Sequence, residues 1–134
     1  MFNLRRYPYE AVHILIIKAG ISIIFGLSFL LIPLATASLF GITLDLAGAT
    51  TARYVGALLL GVGFICWFAR LCTGYLEIQG ILLSLSIADT LGFLIALFTQ
   101  LSGLYNTLGW VNVAVWLFLA LGLGYFRFIN QDYG

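Results

Sequence analysis

The chain has 134 residues, of which 63% are hydrophobic and only 8% are charged, and its formal net charge is +1. A soluble domain carries about 25% charged residues, so this composition excludes a soluble globular protein. The near-neutral charge gives no basic surface for nucleic acid. We therefore expect one membrane domain over residues 1–134, folded as an all-α bundle of four transmembrane helices.

Four apolar segments are long enough to cross a bilayer, because a helix needs about 20 residues to span about 30 Å of hydrocarbon. They predict helices over approximately residues 11–32, 52–71, 79–98 and 108–126. Pro33 should end the first helix. The longest connection, residues 33–51, should then form a loop whose apolar stretch "LFGI" (Leu39–Ile42) lies at the membrane interface.

The positive charges are distributed unevenly between the two ends of this bundle. Those that fall on the side of both termini are Arg5, Arg6, Lys18, Arg70 and Arg127. Arg53 alone falls on the other side. The positive-inside rule therefore predicts a multi-pass protein of the plasma membrane with both termini in the cytoplasm.

The residues that usually carry catalysis or bind metals are scarce. His13 is the single histidine, so a site with several histidine ligands is impossible. Cys66 and Cys72 are not spaced as a Cys-x-x-Cys redox motif. There is no phosphate-cradling glycine loop and no Ser/His/Asp set. We therefore expect no catalytic residues and no metal.

Small residues recur at every fourth position along the third predicted helix: Gly80, Ser84, Ala88, Gly92 and Ala96. Membrane helices associate by close packing, and small residues let their backbones approach. The pattern predicts that this helix lies at the centre of the bundle. Surfaces that match this stripe are offered by pairs of small residues on the other helices: Ser22/Gly26 on the first, Ala52/Gly56 and Ala57/Gly61 on the second, and Ala120/Gly124 on the fourth.

Asp89 is a carboxylate near the middle of the same apolar helix. An ionised carboxylate in a membrane costs several kcal/mol unless it is paired or protonated. Lys18 lies at a similar depth on the first helix and on a face turned toward other helices, so we predict an intramembrane Lys18–Asp89 ion pair. Two alternatives stay open: a carboxylate that handles protons or hydrogen-bonds a quinone, and a protonated acid held by serine or backbone oxygens.

Arg53 stands at the start of the second predicted helix, eight positions after Asp45. A bidentate pair between the two would order the preceding loop, because guanidinium geometry matches a carboxylate. The alternative is that Arg53 only extends toward lipid headgroups. We state the Asp45–Arg53 clamp as a hypothesis.

Three stretches resemble the small bacterial four-helix membrane proteins of the DoxX-like group: "LFGI", "ARYVGALLLGVGFICWFAR" (Ala52–Arg70) and "LSGLYNTLGW" (Leu101–Trp110). The resemblance covers nearly the whole chain in layout. It implies a four-helix bundle in the bacterial inner membrane. Some relatives look like subunits of quinone-linked sulfur oxidoreductases, although no active-site motif of the family can be matched here.

Two classes of function follow from these features. The first is a non-catalytic accessory or structural subunit without a cofactor, which packs against larger membrane proteins or forms a homo-oligomer. The second is a membrane subunit of a redox system that binds a quinone, an isoprenoid or another lipid, with Asn112, Trp110 and Trp116 as further ligand contacts. A small transporter is a third, more distant alternative.

Overall fold

The structure is a computed structural model that describes residues 11–129, and every regular element in that range is helical. The helices are α1 (Ala11–Leu31), α2 (Pro33–Leu39), α3 (Leu46–Ala69), α4 (Tyr75–Leu101) and α5 (Gly109–Gly124), which continues as a π-helical turn (Tyr125–Ile129). Four of them, α1, α3, α4 and α5 with its extension, are long and apolar enough to cross a membrane. The prediction of an all-α chain with four helices able to span a membrane is therefore confirmed for the described residues.

The outward-facing side chains are those of a protein whose solvent is lipid. Each long helix presents large apolar groups that are between 64% and 71% exposed: Ile24, Leu58, Ile95, Phe98 and Leu121. A soluble surface interrupts such residues with charge. A bilayer would supply the apolar environment that these side chains need.

The connection between the first two spans differs from the predicted loop. Pro33 does end α1, but it then occupies the first turn of α2, where its missing N–H is not needed. Helix α3 starts at Leu46 rather than near residue 52, because Asp45 caps it: the Asp45 Oδ1 accepts a hydrogen bond from the Gly48 N–H at 2.7 Å. Only the short stretch between α2 and α3 remains as a loop.

Helices α1 and α3 pack backbone against backbone. A Cβ atom on Gly56 would lie 2.6 Å from the Gly26 carbonyl oxygen, and one on Gly26 would lie 2.9 Å from the Gly56 oxygen. Further along, a Cβ on Gly63 would stand 2.6 Å from the Ile23 side chain. Glycine is therefore required at this crossing, where small residues that were predicted to match α4 instead bring α1 and α3 together.

Helix α4 packs mainly against α5, and α1 packs mainly against α3, so the bundle consists of two helix pairs and α4 is not at its centre. That part of the prediction is wrong. Gly92 and Ala96 do face the interior, but Gly80, Ser84 and Ala88 are exposed. Four residues turn a helix by about 400°, so each step of the stripe drifts about 40° and the stripe winds from the outer to the inner face.

The two ends of the bundle are built differently. The hydrophobic core lies where α1 begins, α3 ends, α4 begins and α5 ends, and we call this end the base. Its buried residues are Ile14, Leu15, Ala19, Cys66, Ala69, Ile78, Leu82, Leu85, Leu119 and Leu123. The opposite end, which we call the loop end, carries α2 and the α4–α5 loop.

Asn106 joins the two loops at the loop end. Its side-chain Nδ2 donates to the Leu39 carbonyl oxygen at 2.9 Å, and its backbone N–H donates to the Phe40 oxygen at 3.0 Å. The rings of Phe40 and Tyr105 lie 5.9 Å apart beside these bonds. The apolar stretch Leu39–Ile42 is therefore held against the α4–α5 loop.

Candidate functional site

Lys18 and Asp89 form an ion pair inside the bundle. The Lys18 Nζ lies 2.5 Å from the Asp89 Oδ1, and the two side chains are only 4% and 0% exposed. The residues belong to α1 and α4, which contact each other little elsewhere, so the ion pair ties one helix pair to the other. The structure thus brings together the two charged residues that the sequence paired.

The ion pair does not satisfy every polar atom around it. The Asp89 Oδ2 is buried without a hydrogen-bond partner among residues 11–129, and so is the hydroxyl of Ser86, one turn earlier on α4. Buried polar atoms are nearly always hydrogen-bonded, to protein or to ordered water. The carboxylate therefore keeps one oxygen that the ion pair leaves uncompensated.

Trp116 of α5 is the third component of this centre. The Lys18 Nζ stands 5.3 Å from the centroid of the indole ring, within the range of a cation–π contact. The ring lies directly against Gly92, where any Cβ would overlap its atoms. Gly92, one turn after Asp89, therefore sets how closely Trp116 approaches the ion pair.

A cleft opens beside these residues, between α1, α3 and α5. Its deeper part, which we call the polar pocket, has a volume of about 70 Å³ and is lined by Lys18, Ile21, Ser22, Phe25, Phe29, Leu59, Asn112, Val115, Trp116 and Leu119. A larger part, which we call the aromatic chamber, lies toward the loop end and has a volume of about 450 Å³. The two adjoin, since Phe25, Phe29 and Asn112 line both.

The predicted ligand contacts divide between the cleft and the outer surface. Asn112 and Trp116 line the polar pocket. Trp110 is 48% exposed and lines neither part of the cleft, so the structure does not bring it together with the other two, and its role as a ligand contact stays a prediction. Trp110 lies six residues before Trp116, which is a rotation of about 240° around α5, so the two side chains leave the helix on different sides. Asn112 lies four residues before Trp116 and therefore shares nearly the same face with it.

The proposed clamp between Asp45 and Arg53 is not formed. Both residues border one shallow hollow of about 510 Å³, but the structure contains no ion pair between them. The Asp45 carboxylate is held at the start of α3 by the Gly48 N–H. Arg53 lies eight residues further along that helix, a rise of about 12 Å, and is exposed. Reading Asp45 as a loop residue missed its capping role.

Several residues of the cleft were not identified from the sequence. Phe25 and Phe29 follow Lys18 and Ser22 at intervals of three and four residues, which places all four along one side of α1. This stripe of polar and aromatic residues in the sequence could have predicted that this side of α1 lines a cleft. Asn106 was also missed as a structural residue, although it belongs to the quoted Asn-x-x-Gly-Trp segment.

Within residues 11–129, no three His, Cys, Asp or Glu side chains come together as a possible metal site. What the cleft offers instead is hydrogen-bond donors beside aromatic rings. Comparison of the chain with known protein families, curated proteins and solved structures finds no match. The resemblance to the DoxX-like group therefore stays a prediction from the chain's own residues.

Proposed function

We propose that the chain is a non-catalytic integral membrane protein that works as an accessory or structural subunit, and that the base half of α4 binds another transmembrane helix. The observation that carries this proposal is the exposed face formed by Gly80, Ser84 and Ala88. Among residues 11–129, nothing outside the backbone of α4 itself lies within 4 Å of the position that a Cβ on Gly80 would take. A helix from a larger membrane protein or from a second copy could approach this face closely.

The chemistry of this face suits helix association. The Ser84 hydroxyl donates to the Gly80 carbonyl oxygen at 2.8 Å, so its polarity is satisfied within α4. Helices in lipid gain little from burying apolar area, and close contact between small residues is a main source of affinity. Toward the loop end the same face carries Leu91 and Ile95, which are 55% and 67% exposed. A partner would therefore cross α4 near the base and diverge from it beyond Ala88.

We further propose that both termini face the cytoplasm, in the inner membrane of a bacterium. Arg70 ends α3 at the base, and Arg127 follows α5 at the same end. Arg53 lies toward the loop end. Lys18 contributes less to this bias than the sequence suggests, because the ion pair with Asp89 buries it. Arg5 and Arg6, which also support this orientation, lie outside the described residues.

The experiment compares Gly80→Leu with Gly61→Leu, a change at a glycine of α3 that is also exposed and also has open space around it. Each variant is purified in mild detergent, and the co-eluting proteins are identified. Two differently tagged copies are expressed together to detect self-association. We expect Gly80→Leu to reduce co-purification and Gly61→Leu to leave it unchanged.

The two kinds of partner give different results in this assay. Capture of the second tag identifies a homo-oligomer, and capture of other membrane proteins identifies a larger complex. A wild-type chain that elutes as a lone monomer would contradict the proposal. Gly92→Leu is unsuitable as the test, because its side chain would strike Trp116 inside the bundle.

A further inference from the structure

The polar pocket presents several hydrogen-bond donors to one small space. Lys18 has three N–H groups and donates one of them to Asp89. Asn112 lines the same pocket, and its amide makes no hydrogen bond to any residue from 11 to 129. Ser22, only 3% exposed, adds a hydroxyl. Donors inside a bilayer cannot rely on bulk water, so they favour a ligand that accepts hydrogen bonds.

The shape of the cleft limits what can reach these donors. The polar pocket, at about 70 Å³, admits only a narrow group. The aromatic chamber, at about 450 Å³, lies within the range of roughly 300–1,000 Å³ that is usual for small-molecule sites. Phe25, Phe29, Phe40 and Tyr105 form much of its wall. The geometry fits an elongated molecule with a narrow polar end and a larger apolar body.

The charges around the pocket select against an ionic ligand. The positive charge of Lys18 is already compensated by Asp89. An anion bound to Lys18 would lie close to that carboxylate, whose second oxygen has no hydrogen-bond partner among the described residues. It would also lose its own hydration on entering the membrane. A neutral acceptor gains the hydrogen bonds without either penalty.

We propose that the cleft binds a neutral lipophile that carries a carbonyl group at one end. The carbonyl oxygen enters the polar pocket and accepts hydrogen bonds from Lys18 and Asn112, while the apolar body fills the aromatic chamber. This site goes beyond the proposed association function, because it is formed by α1, α3, α5 and the loop end and does not use the exposed face of α4. Acyl esters and ring ketones both provide such a carbonyl group.

The test uses three photoreactive probes with the same diazirine-containing acyl-length chain, ending in a methyl ester, a free carboxylate or a methyl group. The full chain is purified in dodecyl maltoside, a detergent without a carbonyl group, and labelled peptides are mapped by mass spectrometry. We expect the methyl ester to label the segments that contain Phe25, Phe29 and Tyr105. The carboxylate and the hydrocarbon should label these segments about fivefold less, the loss expected for one or two hydrogen bonds.

Substitutions at the pocket make the test specific. Asn112→Leu removes the amide and fills space, and should reduce labelling by the ester about fivefold. Val111→Leu is the matched control, because Val111 is the residue next to Asn112 and its own side chain is 57% exposed on the outer surface. If Asn112→Leu lowers the melting temperature, Asn112→Ala replaces it, and the same reduction is expected.

Competition identifies the source of the carbonyl group. Two unlabelled competitors, methyl oleate and a prenylated 1,4-naphthoquinone, are compared. Methyl oleate should displace more probe than the quinone if the natural ligand is an acyl ester, and the quinone should displace more if the natural ligand is a ring ketone. Either result supports the proposal. Equal labelling by all three probes would overturn it. So would ester labelling that both Asn112 variants leave unchanged.

Discussion

The Gly26 carbonyl oxygen of α1 lies 2.6 Å from the position that a Cβ on Gly56 of α3 would occupy. No ordinary side chain can be added at this point unless the two backbones separate. This backbone contact between α1 and α3 therefore depends on the absence of a Cβ atom at Gly26 and at Gly56.

Replacing Gly56 by alanine should consequently destabilise the protein by about 1–3 kcal/mol, the usual range for overpacking. Gly61→Ala is the control, because open space surrounds that residue on the same helix, and its effect should stay within about 0.5 kcal/mol. The free energy of unfolding can be measured by titrating dodecyl sulfate into mild micelles while following tryptophan fluorescence. Equal losses in the two variants would contradict the packing argument.

The Lys18–Asp89 ion pair predicts strong coupling between its members. Lys18→Met and Asp89→Leu should each cost about 3–5 kcal/mol, because each leaves an uncompensated charge inside the membrane. The double variant should lose far less than the sum of the two, since it buries no charge. A double-mutant cycle in the same unfolding assay measures this difference. Additive losses would show that the two residues act independently.

Asn106 predicts a local effect at the loop end. Asn106→Ala removes the bond from its Nδ2 to Leu39 and the one that its Oδ1 accepts from the Leu108 N–H. We expect a loss of about 1–3 kcal/mol and faster proteolysis of residues 40–45. Thr107→Ala serves as the control, because Thr107 is the residue next to Asn106 and its side chain is exposed and makes no hydrogen bond between the loops. Equal cleavage of both variants would mean that Asn106 does not hold the loops together.

Asp45 and Arg53 should respond differently to substitution. Asp45→Ala removes the cap of α3 and should cost about 1 kcal/mol, with faster hydrogen exchange at Gly48 and its neighbours. Arg53→Lys should leave exchange unchanged, since Arg53 forms no ion pair with Asp45. Faster hydrogen exchange in the Arg53→Lys variant would instead support an ion pair between Asp45 and Arg53.

The four spans and the Lys18–Asp89 ion pair could be predicted because both follow from the cost of placing polar groups in hydrocarbon. Long apolar runs have few alternatives in a membrane. A buried carboxylate needs a partner, and the chain offers few cations at a similar depth. The depth and face of each residue can be counted from helix geometry alone.

The position of α4 and the cleft could not be predicted in the same way. Small residues at every fourth position favour close contact but do not say which helix makes it. Gly80 and Ala96 differ by about 160° around the axis of α4, so one end of the stripe lies on the outer surface and the other end faces the interior. The cleft depends on how α1, α3 and α5 lie relative to one another, which no single segment of the sequence encodes. Phe25 and Phe29 acquire their role only from that arrangement.

The separation of Lys18 and Asp89 along the chain, 71 residues, matters while the protein is being synthesised. At about 5–20 residues per second, α4 emerges from the ribosome roughly 4–14 s after α1. During this interval Lys18 lacks its partner carboxylate. An uncompensated lysine costs about 2.5–3.5 kcal/mol at the centre of a span on insertion scales, and less at the position of Lys18 in the first half of α1.

We expect this cost to weaken the insertion of α1 until α4 arrives. A chain truncated after α3 should be extracted from membranes by alkali more readily than the full-length chain. An Lys18→Met version of the truncated chain should resist extraction. These two results would show that Asp89, once α4 is inserted, helps to hold the first helix in the bilayer.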